Sequence, residues 1–99
     1  MIMELLFVYG TLQDPAVQQR LIGRTVTGTP DVLEGFFKSS MSMPEGIYPL
    51  VIPRHGHEVN GLVLEVTSEE LLAMDVYETT AYRRVRVPLR SGRESWVYA

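Results

Sequence analysis

The apolar run Leu5-Leu6-Phe7-Val8 stops abruptly on Tyr9-Gly10-Thr11-Leu12, and that break constrains the fold more than any other feature of the chain. A continuous hydrophobic stretch of this length reads as a buried β-strand, and Gly10 lets the backbone turn where a Cβ would obstruct the approach of a ligand. A helix follows. Asp14 is a good N-cap, Pro15 suits the first helical position, and Val17, Leu21 and Ile22 fall on one face before Gly23. The N–H groups of residues 10–14 are then expected at or near a helix N-terminus, where their donors and partial positive charge suit an anion such as a carboxylate. Strand, turn and helix recur together in most mixed folds, so the competing reading of this stretch is purely structural.

At 99 residues, 1–99 is expected to form one domain with room for a single core and a single site. A composition of 45% hydrophobic and 21% charged residues is that of an ordinary globular protein. The absence of cysteine excludes disulfides, a thiolate nucleophile and a cysteine metal site. Met1-Ile2-Met3-Glu4 lacks the basic start of a secretory signal, so a cytoplasmic, bacterial-type protein without a membrane role is the expectation. A net charge of −3 argues against nucleic acid as the main partner. Five of the nine cations, Arg83, Arg84, Arg86, Arg90 and Arg93, nevertheless crowd one C-terminal stretch, which leaves an interaction module using that strand as one alternative.

Residues 24–28 and 31–37 read as strands punctuated by Gly28, Pro30 and Gly35. Residues 38–46 show no usable period and read as a loop, with a lid as the other possibility. Residues 47–52 resume strand character, Pro49 belonging at an edge, a bulge or a strand start. A turn at 53–58 and a strand at 59–66 complete an expected hairpin. His55 and His57 sit on that turn with no third ligand nearby, so solvated turn residues are expected rather than a metal site. Thr67-Ser68-Glu69-Glu70 is a capping box that starts a helix, with Leu71, Asp75 and Glu78 sharing one face and Leu72 and Val76 forming an adjacent apolar stripe. From 82 to 89 a strand alternates, Tyr82, Arg84 and Arg86 on one face, Arg83, Val85, Val87 and Leu89 on the other. Residues 94–98 form a last strand. Two helices are too few for a doubly wound sheet, so the order points to a small mixed barrel or a strongly curled sheet flanked by two helices.

Taken in order, Phe7-Val8-Tyr9-Gly10-Thr11-Leu12, Gly46-Ile47-Tyr48-Pro49, the stretch from Val59 to Val66, Met74-Asp75-Val76-Tyr77-Glu78 and Tyr82-Arg83-Arg84-Val85 resemble the γ-glutamylcyclotransferase-like (AIG2-like) proteins over nearly the whole chain. The resemblance implies an α+β fold: a small mixed closed β-barrel of about six to seven strands flanked by two short α-helices. It implies a bacterial member of the small γ-glutamylamine cyclotransferase type, a monomer or homodimer. Such an enzyme cyclises a γ-glutamyl amine or γ-glutamyl amino acid to 5-oxoproline and releases the amine, with no metal or organic cofactor. Glu78 takes the acid/base role, and Tyr9, Gly10, Thr11 and Leu12 hold the glutamyl end. Tyr48, Tyr82 and Tyr98 complete the expected substrate-binding set. Family members commonly carry glycine directly after the glutamate, where this chain has Thr79, and often glycine soon after the loop, where it has Asp14-Pro15. The chain is short at its C-terminus, so any substrate contact made there by longer relatives is expected to come from Tyr98 or to be absent.

Cyclisation needs the substrate α-amine deprotonated for attack on the γ-carbonyl, and then a proton for the leaving nitrogen; one carboxylate can serve both steps. An exposed glutamate of pKa about 4.3 is a poor base for an ammonium, so the site is expected to raise it by partial burial, helix-end position and repulsion from Asp75. The competing reading of Glu78 is a solvated helix-end carboxylate paired with Arg83 or Arg84. Asp75 is expected to be structural, and Arg84 to pair with an acidic neighbour. A non-catalytic binding or regulatory protein with the same cavity is the alternative function.

Overall fold

The computed structural model describes residues 2–99, Thr80 through its backbone alone. The apolar run forms β1 (Met3–Val8) at the centre of a five-stranded mixed sheet. It pairs antiparallel with β3 (Gly46–Thr67), Phe7 opposite Val63, and parallel with β5 (Glu94–Tyr98), Leu6 opposite Trp96. β2 (Thr29–Met43) flanks β3 and β4 (Arg84–Pro88) flanks β5, giving the order β2-β3-β1-β5-β4. A strand in that central place is covered on both faces, which is why its hydrophobic residues run on without alternating.

On one face Phe7, Leu33, Val51, Val63, Val87 and Val97 draw all five strands into one cluster, so the sheet curls until its edges approach. The Arg90 N–H donates to the Val32 carbonyl at 2.9 Å, joining the chain beyond β4 to β2. No continuous ladder joins those edge strands among the described residues, and the sheet is a curled half-barrel of five strands rather than a closed barrel of six to seven.

The difference in strand count has a local cause. Residues 24–28 are irregular, held by the Val26 N–H on the Gln18 side chain and by Arg24 on Glu70. The expected loop at 38–46 is mostly strand: β2 runs to Met43 and reverses at Pro44-Glu45, half-buried Ser39, Met41 and Met43 alternating with exposed neighbours. The expected turn at 53–58 does not reverse the chain. Gly35 alone on β2 stands opposite residues 54–57 of β3, a bulge in one long strand. Beyond β1, strands β2 and β3 continue as a two-stranded arm. Pro49 lies there, on a stretch of β3 with no ladder partner on its other side, so its missing N–H removes no bond.

Both helices lie on the other face of the sheet, over Leu6, Val8, Leu64 and Val66. α1 (Pro15–Ile22) starts at Asp14, whose carboxylate accepts from the Ala16 N–H at 2.9 Å, and ends on Gly23 in the left-handed conformation, φ 75°. α2 (Ser68–Glu78) opens with the complete capping box of Thr67 and Glu70 and packs through Leu71 and Met74. The Leu72 and Val76 stripe faces solvent instead, at 60% and 77% exposure. No helix among the described residues is long and apolar enough to cross a membrane.

Candidate functional site

A cavity of about 420 Å³ opens where the parallel strands β1 and β5 end. The loop of residues 9–12 makes one wall, the end of α2 with Tyr77, Glu78 and Thr79 a second, and the arm with Met43, Tyr48 and Pro49 a third. All eight residues singled out from the sequence, Tyr9, Gly10, Thr11, Leu12, Tyr48, Glu78, Tyr82 and Tyr98, line this one cavity.

The loop is held from several sides. The Tyr9 hydroxyl donates to the Tyr98 carbonyl at 2.5 Å, and the Lys38 ammonium donates to the Tyr9 carbonyl at 2.9 Å. Residues 11–13 form a 3-10 turn, in which the Gln13 and Asp14 N–H groups bond to the Gly10 and Thr11 carbonyls. Of the N–H groups expected at 10–14, those two are therefore spent within the loop. Among the described residues Gly10, Thr11 and Leu12 make no such bond, and the leading donors of the turn, Thr11 and Leu12, are among those left for an anion. Gly10 has a negative φ of −132° rather than a left-handed one, and a Cβ there would come within 3.0 Å of Pro49 Cγ, so its smallness first makes room for the arm. Gln18 is 1% exposed and braces the loop from beneath, its amide donating to the Leu12 carbonyl at 2.8 Å and accepting from the Val26 N–H. A glutamine on the apolar face of α1, three and four residues before Leu21 and Ile22, is the sequence signal for that brace.

Across the cavity, Glu78 ends α2, and burial raises its carboxyl to about 7. Burial also raises Tyr9, Tyr82 and Tyr98, and the nearby Glu78 charge adds to each, so three phenols surround the carboxylate. Each commits its proton elsewhere: Tyr9 to the Tyr98 carbonyl, Tyr82 to the Pro49 carbonyl and Tyr98 to Asp75 at 2.6 Å. Glu78 thus has a half-buried charge without a phenol donating to it, the arrangement that favours its neutral form near neutrality.

The pairing of Glu78 with Arg83 or Arg84 is not what forms. Arg84 grips Asp75 through two hydrogen bonds of 2.7 and 3.0 Å and lies 4.4 Å over the Trp96 ring, while Arg83 pairs through its backbone with Ala99. Asp75 is the structural hub expected, joining α2 to β4 and β5. With its charge taken by Arg84 and Tyr98, burial rather than Asp75 repulsion raises Glu78. Tyr77, not singled out from the sequence, places its hydroxyl 3.0 Å from the Thr11 hydroxyl and ties the loop to the end of α2. Its adjacency to Glu78 is the signal that marks it. His55 and His57 are exposed on the arm bulge, His57 edge-on to Phe37 at 5.4 Å, and neither is among the residues that line the cavity. The arginine stretch is largely occupied: Arg90 pairs with Glu34 and Glu58, and Arg86 lies over Trp96.

A carboxyl able to exchange a proton near neutral pH thus faces backbone donors across an apolar, aromatic space. The sequence matches the family profile described as gamma-glutamyl cyclotransferase, AIG2-like, over residues 6–99. The chain belongs to this family. AIG2-like protein A of Arabidopsis thaliana is 39% identical over 82 residues, 82% of this chain and 48% of the relative. AIG2-like protein C of the same plant is 37% identical over 83 residues, 83% and 47% of the two chains. The chain thus spans about half the length of these AIG2-like relatives. A solution structure of an Arabidopsis thaliana protein superimposes with a TM-score of 0.85 at 29% identity, covering 100% of this chain and 62% of that one. A structure titled gamma-glutamyl cyclotransferase gives 0.73 at 20% identity, covering 98% and 66%, a likeness of fold.

Thr79 stands where the resemblance implies glycine, and the backbone there is of a kind that glycine adopts most readily. Its φ of 61° and ψ of −164° lie in a region that is essentially glycine's own. Threonine keeps the shape, its N–H closing α2 on the Asp75 carbonyl and its hydroxyl accepting from the Ala81 N–H at 3.3 Å.

Proposed function

We propose that this AIG2-like chain is a γ-glutamylcyclotransferase, cyclising a γ-glutamyl amine or γ-glutamyl amino acid to 5-oxoproline and releasing the amine. The observation that carries the reading is Glu78, raised to about 7 by burial and facing the 9–12 loop across the cavity. Near neutral pH such a carboxylate removes a proton from the substrate α-ammonium, and the freed amine attacks the γ-carbonyl. The carboxylic acid then returns that proton to the leaving nitrogen as the C–N bond breaks, the ring nitrogen gives up its second proton to solvent, and the released amine takes one up as an ammonium. The Thr11 and Leu12 N–H groups, with the Thr11 hydroxyl, hold the substrate carboxylate or the developing oxyanion. Tyr9, Tyr48, Tyr82 and Tyr98 shape the walls and keep the chain folded toward ring closure, an orientation effect worth several kcal/mol. Neither metal nor organic cofactor takes part in these steps, nucleic acid is not a partner, and the reaction suits a cytoplasmic protein of bacterial type.

Incubation with a panel of γ-glutamyl compounds, followed by mass spectrometry for 5-oxoproline, tests the reading. Glu78→Gln keeps the size of the side chain but cannot take the proton, so turnover is expected to fall roughly 10²-fold or more while substrate still binds. A wild-type protein that binds γ-glutamyl compounds without forming 5-oxoproline would instead be a non-catalytic binding protein of the same fold.

A further inference from the structure

Among the described residues no lysine, arginine or histidine lines the cavity, although a γ-glutamyl substrate brings a carboxylate into it. One cation reaches the cavity wall from behind. Lys38, the only lysine of the chain, lies on the arm in β2 opposite Val51, and its ammonium donates to the Tyr9 carbonyl at 2.9 Å. The Tyr9 carbonyl and the Gly10 N–H belong to one peptide group, and the described peptide bonds are trans, so the N–H points the opposite way. Tyr9 and Gly10 line the cavity and Lys38 does not, which puts the carbonyl on the outer side of the wall and the N–H on the cavity side. That N–H makes no hydrogen bond among the described residues.

Resting on the cyclotransferase reading, we infer that Lys38 is a positioning residue for the substrate's α-carboxylate, acting through the Tyr9–Gly10 peptide without touching the substrate. The ammonium draws electron density toward the carbonyl oxygen and makes the Gly10 N–H a stronger donor, because hydrogen bonds in line through a peptide group polarise one another. It also fixes the plane of that peptide, so the donor is aimed before the substrate arrives. Its place behind the wall has a chemical reason. A cation inside the cavity would pair with Glu78, hold its carboxyl down and spoil it as a base. One peptide group away, the same charge favours the substrate carboxylate and leaves Glu78 unpaired. Lys38 is exposed, so solvent screens it and its effect on KM is expected to be about 3- to 5-fold.

Two synthetic substrates test this: γ-glutamyl butylamide, and the same compound with its α-carboxylate replaced by a carboxamide. Release of butylamine is followed with the wild-type protein, Lys38→Met and Lys38→Arg. On the carboxylate compound Lys38→Met is expected to raise KM about 3- to 5-fold with kcat within about twofold, and Lys38→Arg to restore most of the loss. On the carboxamide compound the wild type and Lys38→Met are expected to agree. The carboxamide makes the α-amine less basic, but equally so for every variant, and the ratio between variants cancels it. An equal loss on both compounds would make Lys38 a strut for the loop and overturn the proposal. So would a loss confined to kcat, which would place its influence on the oxyanion, or a KM that does not move. If the wild type turns over neither compound, the cyclotransferase reading fails by itself, and calorimetric titration of the same compounds decides the part of Lys38. A 3- to 5-fold loss of affinity in Lys38→Met confined to the carboxylate compound, about the size expected of an exposed charge, supports it. Any other result, absence of binding included, overturns it.

Discussion

Thr79 holds a conformation that costs a threonine on the order of 1–3 kcal/mol, and its hydroxyl bond to the Ala81 N–H offsets only part of that. Thr79→Gly is therefore expected to stabilise the protein by about 1 kcal/mol, a rise of several degrees in Tm for a domain of this size. Thr79→Ala keeps the Cβ and loses the hydroxyl, and is expected to destabilise by about 1 kcal/mol. Calorimetric melts of both variants check this, and a glycine variant that melts lower would show that the backbone is not strained there. The neighbouring Tyr77 calls for a different readout. Its hydrogen bond to Thr11 is exposed, so Tyr77→Phe should move stability by less than about 0.5 kcal/mol. Loosening the loop against α2 should raise KM several-fold with kcat nearly unchanged. An unchanged KM would leave the Tyr77 hydroxyl without a part in the site.

Elements whose signals are chemical and local were legible in the sequence: Asp14-Pro15, the Thr67 and Glu70 box, and the alternation of Val85, Val87 and Leu89 against Tyr82, Arg84 and Arg86. The arm was not. Its half-buried face is made of Ser39, Met41 and Met43, whose period of two hydropathy does not register, and its bulge at 54–57 carries Gly56 and directly follows Pro53, residue types that ordinarily mark a reversal. The 9–12 loop was legible as a candidate site from the break of an apolar strand on Gly10, whereas Tyr48, Glu78, Tyr82 and Tyr98 took their site roles from the family resemblance; Tyr77 and Gln18 needed the packed helices to declare their roles. How the arm meets the loop gives a prediction at this scale. A valine at position 10 would press on Pro49, since the Cβ alone comes within 3.0 Å of its ring. Gly10→Val is expected to push the arm off the loop and reduce kcat/KM roughly 10²-fold, because displacements near 1 Å at a reacting centre have that effect. At position 61 a Cβ would lie 2.4 Å from the Val8 carbonyl and 2.6 Å from Phe7, inside the core, so Gly61→Val should fail to fold. Equal loss of structure in the two variants, judged by circular dichroism, would make Gly10 a core residue and remove its functional assignment.

Over the whole molecule, two carboxylates make stability depend on pH in opposite directions. Glu70 is drawn down to about 2, first by its hydrogen bonds to Arg24 and further by the Thr67 N–H. Its folded value lies below its ordinary 4.5, so its contribution is in place above that pH and is lost as the pH falls toward 2. Glu78 lies on the other side, near 7 against 4.5, because its charge is half buried and no phenol donates to it. The folded chain therefore binds a proton there that the unfolded chain has released, and stability declines as the pH rises from 4.5 to about 7, then levels. Glu78→Gln removes the charge and with it that decline. Thermal melts from about pH 3 to about pH 9 are expected to show the wild-type Tm falling across the Glu78 interval while the glutamine variant stays flat and melts higher at the alkaline end. Both should lose stability together on the acid side, where Glu70 is titrated in each. The same titration sets the activity, since only ionised Glu78 accepts the substrate proton, so kcat should rise with pH through the interval in which wild-type stability falls. A wild-type Tm that climbs through that interval would mean that the fold stabilises the Glu78 charge, and the carboxylate would then be too weak a base for the reaction assigned to it.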